Sequence, residues 1–159
     1  MLPTRNSLSL EVRTAVIEEL SPLLADAVDL FTQVKQAHWT VRGATFMQLH
    51  TLFDSVAEDA EAWADLIAER IGQLGGRAEG TARASAARSR LPEYPLQATT
   101  GAEHVEAVSV RLGVFGQRAR AAVDALSRLG DQAGADICTQ ITRGADAQLW
   151  FVESHGTGR

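Results

Sequence analysis

Two pairs of side chains able to ligate a metal stand four residues apart: His50 with Asp54, and Asp65 with Glu69. In a helix, residues four apart lie on one face, so each pair can converge on one ion. Asp54 and Asp65 are eleven residues apart, close to three full turns, which puts both pairs on the same face. Eleven residues also rise about 16.5 Å along the axis, too far for one ion to be held by both pairs of one helix. Two copies of the helix laid antiparallel across a two-fold axis remove this conflict. Facing residue numbers then add to a constant, which is 119 for His50 opposite Glu69 and again 119 for Asp54 opposite Asp65. One isologous contact would build two identical sites, each with one pair from either copy. The axis would pass between Asp59 and Ala60, with Ala60 small enough to allow close approach.

His38, in Lys35-Gln-Ala-His38-Trp39, closes the preceding apolar stretch, where an antiparallel neighbour could bring it beside His50. Two imidazoles with several carboxylates suit ferrous iron, manganese or zinc, and the lack of thiolates argues against a soft metal. The plainer alternative makes the acid pairs salt-bridge partners on a wet face, with Arg70 within reach. Spacing alone leaves both readings open. Trp63 and Trp150 are read as core residues.

The elements that must position these groups are helices. Val16, Leu20, Leu23, Ala27, Phe31 and Val34 recur at intervals of three and four, as do Leu49, Leu52, Val56, Ala60, Trp63, Ile67 and Leu74. A third series runs from Val105 to Leu129 and a fourth from Ile137 to Val152. Pro22 predicts a kink near Ser21 unless the first helix begins there. Gly75-Gly76 ends the second helix, Thr100 to Glu103 has the form of a capping box, and Gly130 with Asp131 ends one helix and caps the next. The helices are placed at about 8–38, 44–74, 101–129 and 132–154. Between the second and third lies a long connection, roughly 76 to 99, whose middle (Ala82 to Arg88) can form a short helix. No segment alternates as a strand does. The fold class is therefore all-α: one domain over residues 1–159, a four-helix bundle with a long crossover carrying a short helix, as in ferritin-like bundles.

At 159 residues, 45% of them apolar and 22% charged, the chain has the balance of an ordinary globular protein. No apolar run approaches a bilayer span of about 18 residues, and the start lacks the pattern of a secretory signal. The single cysteine, Cys138, points to a reducing cytosol. A net charge of −5 counts against wholesale nucleic-acid binding by the body of the protein. Arg77, Arg83, Arg88 and Arg90 face only Glu79 in their stretch, which reads as a solvated loop, with a phosphate-facing patch as the alternative.

Lys35-Gln-Ala-His38-Trp39-Thr-Val-Arg42-Gly43, Leu49-His50-x-x-Phe53-Asp54, Asp65-Leu-Ile-Ala-Glu69-Arg70 and Gly75-Gly76 together resemble the signature of the Dps family. Ser89 to Pro95, Ala135-Asp136-Ile, and Leu149-Trp150-Phe-Val-Glu-Ser-His155 extend the likeness over nearly the whole chain. The resemblance implies a cytoplasmic, or nucleoid-associated, homo-oligomer: a hollow dodecamer with a ferroxidase centre shared between two subunits. There Fe2+ is oxidised, preferably by hydrogen peroxide, and a ferric mineral is stored; Zn2+ or Mn2+ can compete for the site. Carried over position by position, the ligands are His38, His50 and Asp54 from one subunit with Asp65 and Glu69 from its mate. Trp39 follows His38 as in the family, with a radical trap or simple packing as its role. Asp136 and Asp146 are candidates for an acidic iron-entry pore, with helix solvation as the alternative.

Two departures stand out. Ala44-Thr45 replaces the family's more usual turn, and the N-terminal stretch holds only Arg5 before Glu11 where DNA-condensing members hold several lysines. Phosphate neutralisation needs many cations, so DNA binding is expected to be weak or absent, Arg159 adding a single cation at the other end. A nucleoid protein whose shell merely packs DNA is the competing reading. An ordinary ferritin centre within one chain is disfavoured, because no Glu-x-x-His motif is present.

Overall fold

The computed structural model describes residues 1–156, so Arg159 lies outside the described part. Five helices follow one another: α1 (Leu10–Thr40), α2 (Phe46–Gln73), α3 (Ala82–Arg88), α4 (Gly101–Leu129) and α5 (Gln132–Glu153). The described residues contain no strand, only an isolated bridge between Arg42 and Thr100. The hairpins α1–α2 and α4–α5 are the most intimate pairs, and α1 also packs on α4 and α3.

Each boundary has a local cause. Ser9 caps α1 by accepting from the Val12 N–H. The helix then runs unbroken to Thr40 with Pro22 inside it, and the Ser21 hydroxyl donates back to the Ile17 carbonyl at 2.6 Å. Proline leaves the Glu18 carbonyl without its helical donor, on a residue exposed enough for water to serve. Gly75 turns the chain out of α2 with φ +84°, and a Cβ there would stand 2.6 Å from the Leu2 carbonyl oxygen. Thr100 and Glu103 form the full capping box that starts α4. Gly130 (φ +85°) ends α4, and Asp131 caps α5 by accepting from the Gly134 N–H.

One apolar cluster joins all four long helices, with Phe53, Leu20, Leu30, Ile67, Leu112, Phe115 and Ile141 at its centre. Trp63 stacks on Phe115 with centroids 5.5 Å apart, as a core tryptophan should. Trp150 corrects the expectation: it is 65% exposed and meets Phe151, its neighbour in the chain.

The long crossover is held by buried charge. Asp26, fully buried on α1, accepts from the Arg90 backbone N–H at 2.7 Å and from the Arg90 guanidinium. Arg88 pairs with Glu79. The arginine stretch is thus neither a free loop nor an open phosphate patch at these two positions. At the other end, Arg70 forks onto buried Asp131, tying the end of α2 to the α4–α5 turn.

Candidate functional site

His38 lies in the last turn of α1 and His50 in the second turn of α2, and the antiparallel hairpin brings them face to face. Their rings stack with centroids 3.7 Å apart and planes 20° off parallel, and Phe46 also stacks with His50 at 5.0 Å. Each ring is fixed by the other's backbone. His38 Nδ1 donates to the His50 carbonyl at 2.8 Å, and His50 Nδ1 donates to the His38 carbonyl at 2.8 Å. A carbonyl oxygen can only accept, so Nδ1 bears the hydrogen in both rings and the lone pair of the neutral imidazole sits on Nε2. This is how metal-ligating histidines are usually oriented, with the second nitrogen spent on the protein.

Asp54 stands one turn further along α2, its carboxylate Oδ1 3.8 Å from His38 Nδ1. Lys35 donates to that oxygen at 2.6 Å, and this hydrogen bond, with the nearby imidazoles adding a smaller pull, holds the Asp54 carboxyl below its ordinary value. The Lys35 contact was not foreseen. The hairpin register could have given it, because the residues facing one another across α1 and α2 sum to nearly the same number for Lys35 with Asp54 as for His38 with His50.

Asp65 and Glu69 are exposed on the same helix. No charged partner neutralises them among the described residues, and Arg70 is committed to Asp131 and Gln73. Among the described residues no group of three or more His, Cys, Asp or Glu is gathered so as to hold a metal ion. The single chain sets His50 and Asp54 each beside His38 without gathering the three into a metal-holding group, and leaves Asp65 and Glu69 apart. Ala60 is not at the outward face: it is fully buried in the chain's own core, and the outward positions at that level are Glu58, Glu61 and Ala62. Trp39 is 62% exposed beside His38. Asp136 is exposed on α5, and Asp146 is paired with Arg120 at 2.7 Å.

A four-helix bundle with one long crossover, and histidines and carboxylates on its first hairpin, is the architecture of the ferritin-like class, and the family model for the ferritin-like domain matches residues 17–157. Among curated proteins the chain is 36% identical to a DNA protection during starvation protein of Agrobacterium fabrum, over 96% of this chain and 94% of that one. The solved structure of Dps from Microbacterium arborescens in a high iron form superposes with a TM-score of 0.87 at 30% identity, covering 98% of both chains. Dps from Mycobacterium smegmatis gives 0.91 at 27% identity, covering 96% of this chain and 93% of that one. The chain belongs to the Dps family of miniferritins. That membership places it among proteins of iron storage and DNA protection and implies that it binds iron. Among the described residues no helix is long and apolar enough to cross a membrane.

Proposed function

We propose that this protein oxidises ferrous iron, preferably with hydrogen peroxide, at a ferroxidase centre shared between two subunits. The ferric product is stored inside a hollow dodecamer, and a cytoplasmic protein of this kind would spare the cell the hydroxyl radicals that iron and peroxide otherwise make. The observation that carries the reading is the pair of imidazoles with Nδ1 spent on carbonyls and Nε2 left to ligate, with Asp54 beside them. Asp65 and Glu69, exposed on α2 and without a charged partner among the described residues, would supply what is missing once a two-fold contact brought a second copy of α2 across. Oxygen and imidazole ligands in this mixture suit iron, and also admit Mn2+ or Zn2+. Trp39, exposed next to His38, is offered as a radical trap, and Asp136 and Asp146 as pore residues.

DNA binding is expected to be weak. The N-terminal stretch has Arg5 as its one cation before Glu11. It is also tied to the body, the Leu2 N–H donating to the Gly75 carbonyl at 2.7 Å and the Arg13 guanidinium of α1 to the Leu8 carbonyl at 3.2 Å. The alternative is a nucleoid protein with little ferroxidase role, and the Agrobacterium relative's name, a DNA protection protein, is what favours it. Ferrous oxidation after a stoichiometric dose of peroxide, followed optically, decides between the two. The proposal expects fast oxidation in the wild type and a loss of at least tenfold in His50→Ala; equal rates in both would refute it. A gel shift at low and moderate salt tests the second reading, which requires retardation at both.

A further inference from the structure

Against Phe53 of α2 and the end of α1 lies a buried polar group that the proposed site does not use. His104, on the first turn of α4, is fully buried, and its Nδ1 lies 2.5 Å from the hydroxyl of Tyr94 on the crossover. The two rings are near parallel, with centroids 6.1 Å apart. His104 meets the edge of Phe53 at 6.4 Å, the residue before Asp54, and the backbone of Thr40, two residues after His38, bears on the same ring. Nε2 has no partner of hydrogen-bond geometry among the described residues. Over the Tyr94 ring sits the Arg111 guanidinium, 5.5 Å from the centroid. Arg111 is itself held by Gln33 at 2.9 Å and by the carbonyls of Ala107 and Glu93.

Burial raises the Tyr94 phenol above its ordinary value and lowers the His104 imidazole below its own. Both are then neutral, and the phenol O–H donates to the Nδ1 lone pair. A phenol oxidised by one electron is a strong acid. Here a positive ring would be doubly penalised, by burial and by the guanidinium over its face. Loss of an electron therefore requires loss of the proton at the same time, and the hydrogen bond already supplies the acceptor.

We propose that Tyr94 and His104 form a proton-coupled electron relay serving the iron site, an activity that rests on the ferroxidase reading above. Peroxide takes two electrons, and a single ferrous ion gives one. Tyr94 gives the second: its O–H bond breaks, the electron goes to the peroxide oxygen, and the proton forms a new N–H bond at His104 Nδ1. With two protons from solvent, one peroxide becomes two waters, leaving one ferric ion, a neutral tyrosyl radical and an imidazolium. A second ferrous ion then returns the electron, and the imidazolium returns the proton to the phenolate oxygen. The sum is two ferrous ions oxidised per peroxide, with no one-electron oxidant released.

Tyr94 is the sole tyrosine of the chain, which makes the test unambiguous. The assembled protein is given about one ferrous ion per site and then peroxide, freeze-quenched, and examined by electron paramagnetic resonance, with ferrous loss read optically on the same sample. A tyrosyl signal in the wild type, with Tyr94→Phe oxidising ferrous iron at least twofold more slowly, supports the relay; iron oxidised in the wild type with no tyrosyl signal or with a tryptophan signal alone, or an unchanged rate in Tyr94→Phe, overturns it. If no iron is oxidised the ferroxidase reading fails instead, and a second arm judges the pair by itself. In that arm, metal-free protein is oxidised by a photogenerated ruthenium(III) complex. Tyrosyl formation slowed at least twofold in D2O supports the coupled pair, whereas no tyrosyl, or no isotope effect, overturns it. A hydrogen bond that only fixed the crossover would move neither readout.

Discussion

Lys35 donates to Asp54 Oδ1, the oxygen that a metal ion would need under the proposed ligand set. The pair is partly open, with the Asp54 side chain 44% exposed, and exposed ion pairs are worth about 0.2–1 kcal/mol. Such a contact steadies the carboxylate without locking it, and an incoming divalent cation can displace it. Lys35→Met should therefore tighten Mn2+ binding to the assembled protein by roughly twofold to fivefold, measured calorimetrically; unchanged or weaker binding would mean that Asp54 is not a ligand. A second residue-scale expectation concerns Cys138. Burial, with the Asp131 charge adding to it, pushes its thiol up to about 12. The thiol should be inert to a disulfide reagent at pH 8 in the folded protein and should react at once in denaturant. His104 gives a pH dependence of definite sign. Its folded value is lowered by burial, so the unfolded chain binds the extra proton more readily. The associated stability is complete above the ordinary histidine value of about 6.5 and is lost as pH falls through it. Urea midpoints at pH 8 and pH 5 should show this acid sensitivity in the wild type and less of it in His104→Phe.

Among the elements, the crossover and the α4–α5 turn depend on buried charge, and such contacts are costly to halve. Asp131→Ala leaves the buried Arg70 guanidinium without its carboxylate and removes the cap of α5, which should cost about 3–5 kcal/mol in denaturant unfolding. A loss under 1 kcal/mol would mean the pair is solvated in solution. The helices themselves were readable because their signals are local. Thr100 and Glu103, Gly130 and Asp131, and the short helix at Ala82 to Arg88 all stand where neighbouring residues dictate. Contacts across the fold were not readable. Periodicity gives a helix its inward face but not the residue it meets, so Arg90 on Asp26, Arg111 on Gln33 and Tyr94 on His104 had no signature along the chain. Ala60 is instructive in another way. The same apolar rhythm that groups it with Val56, Trp63 and Ile67 already points it inward, and the axis argument ignored that. Trp150 was misplaced because size and apolarity give a default, while its position on the α5 surface is set by rotation alone.

For the whole molecule, the residue-number rule also sets Glu58 opposite Glu61, which add to 119 and face outward. Across a two-fold contact these glutamates would oppose one another, two from each copy. Association of such a dimer should be weakened by like charge and strengthened when it is screened. Glu58→Gln with Glu61→Gln should accordingly raise dimer stability at low salt, read by sedimentation, with the gain shrinking at high salt. The half-sites on one chain and the sharing of ligands across the axis make one account, and complementation tests it most directly. His50→Ala and Asp65→Ala are prepared separately, dissociated, mixed and reassembled, and ferrous oxidation by peroxide is followed. Each variant damages every site of its own assembly, whereas a mixed dimer can carry one centre with all five ligands and one with neither His50 nor Asp65. The account predicts that mixing restores activity toward one quarter of the wild-type rate. Activity no greater than that of the parent variants, in assemblies shown to be mixed, would contradict a centre shared between subunits.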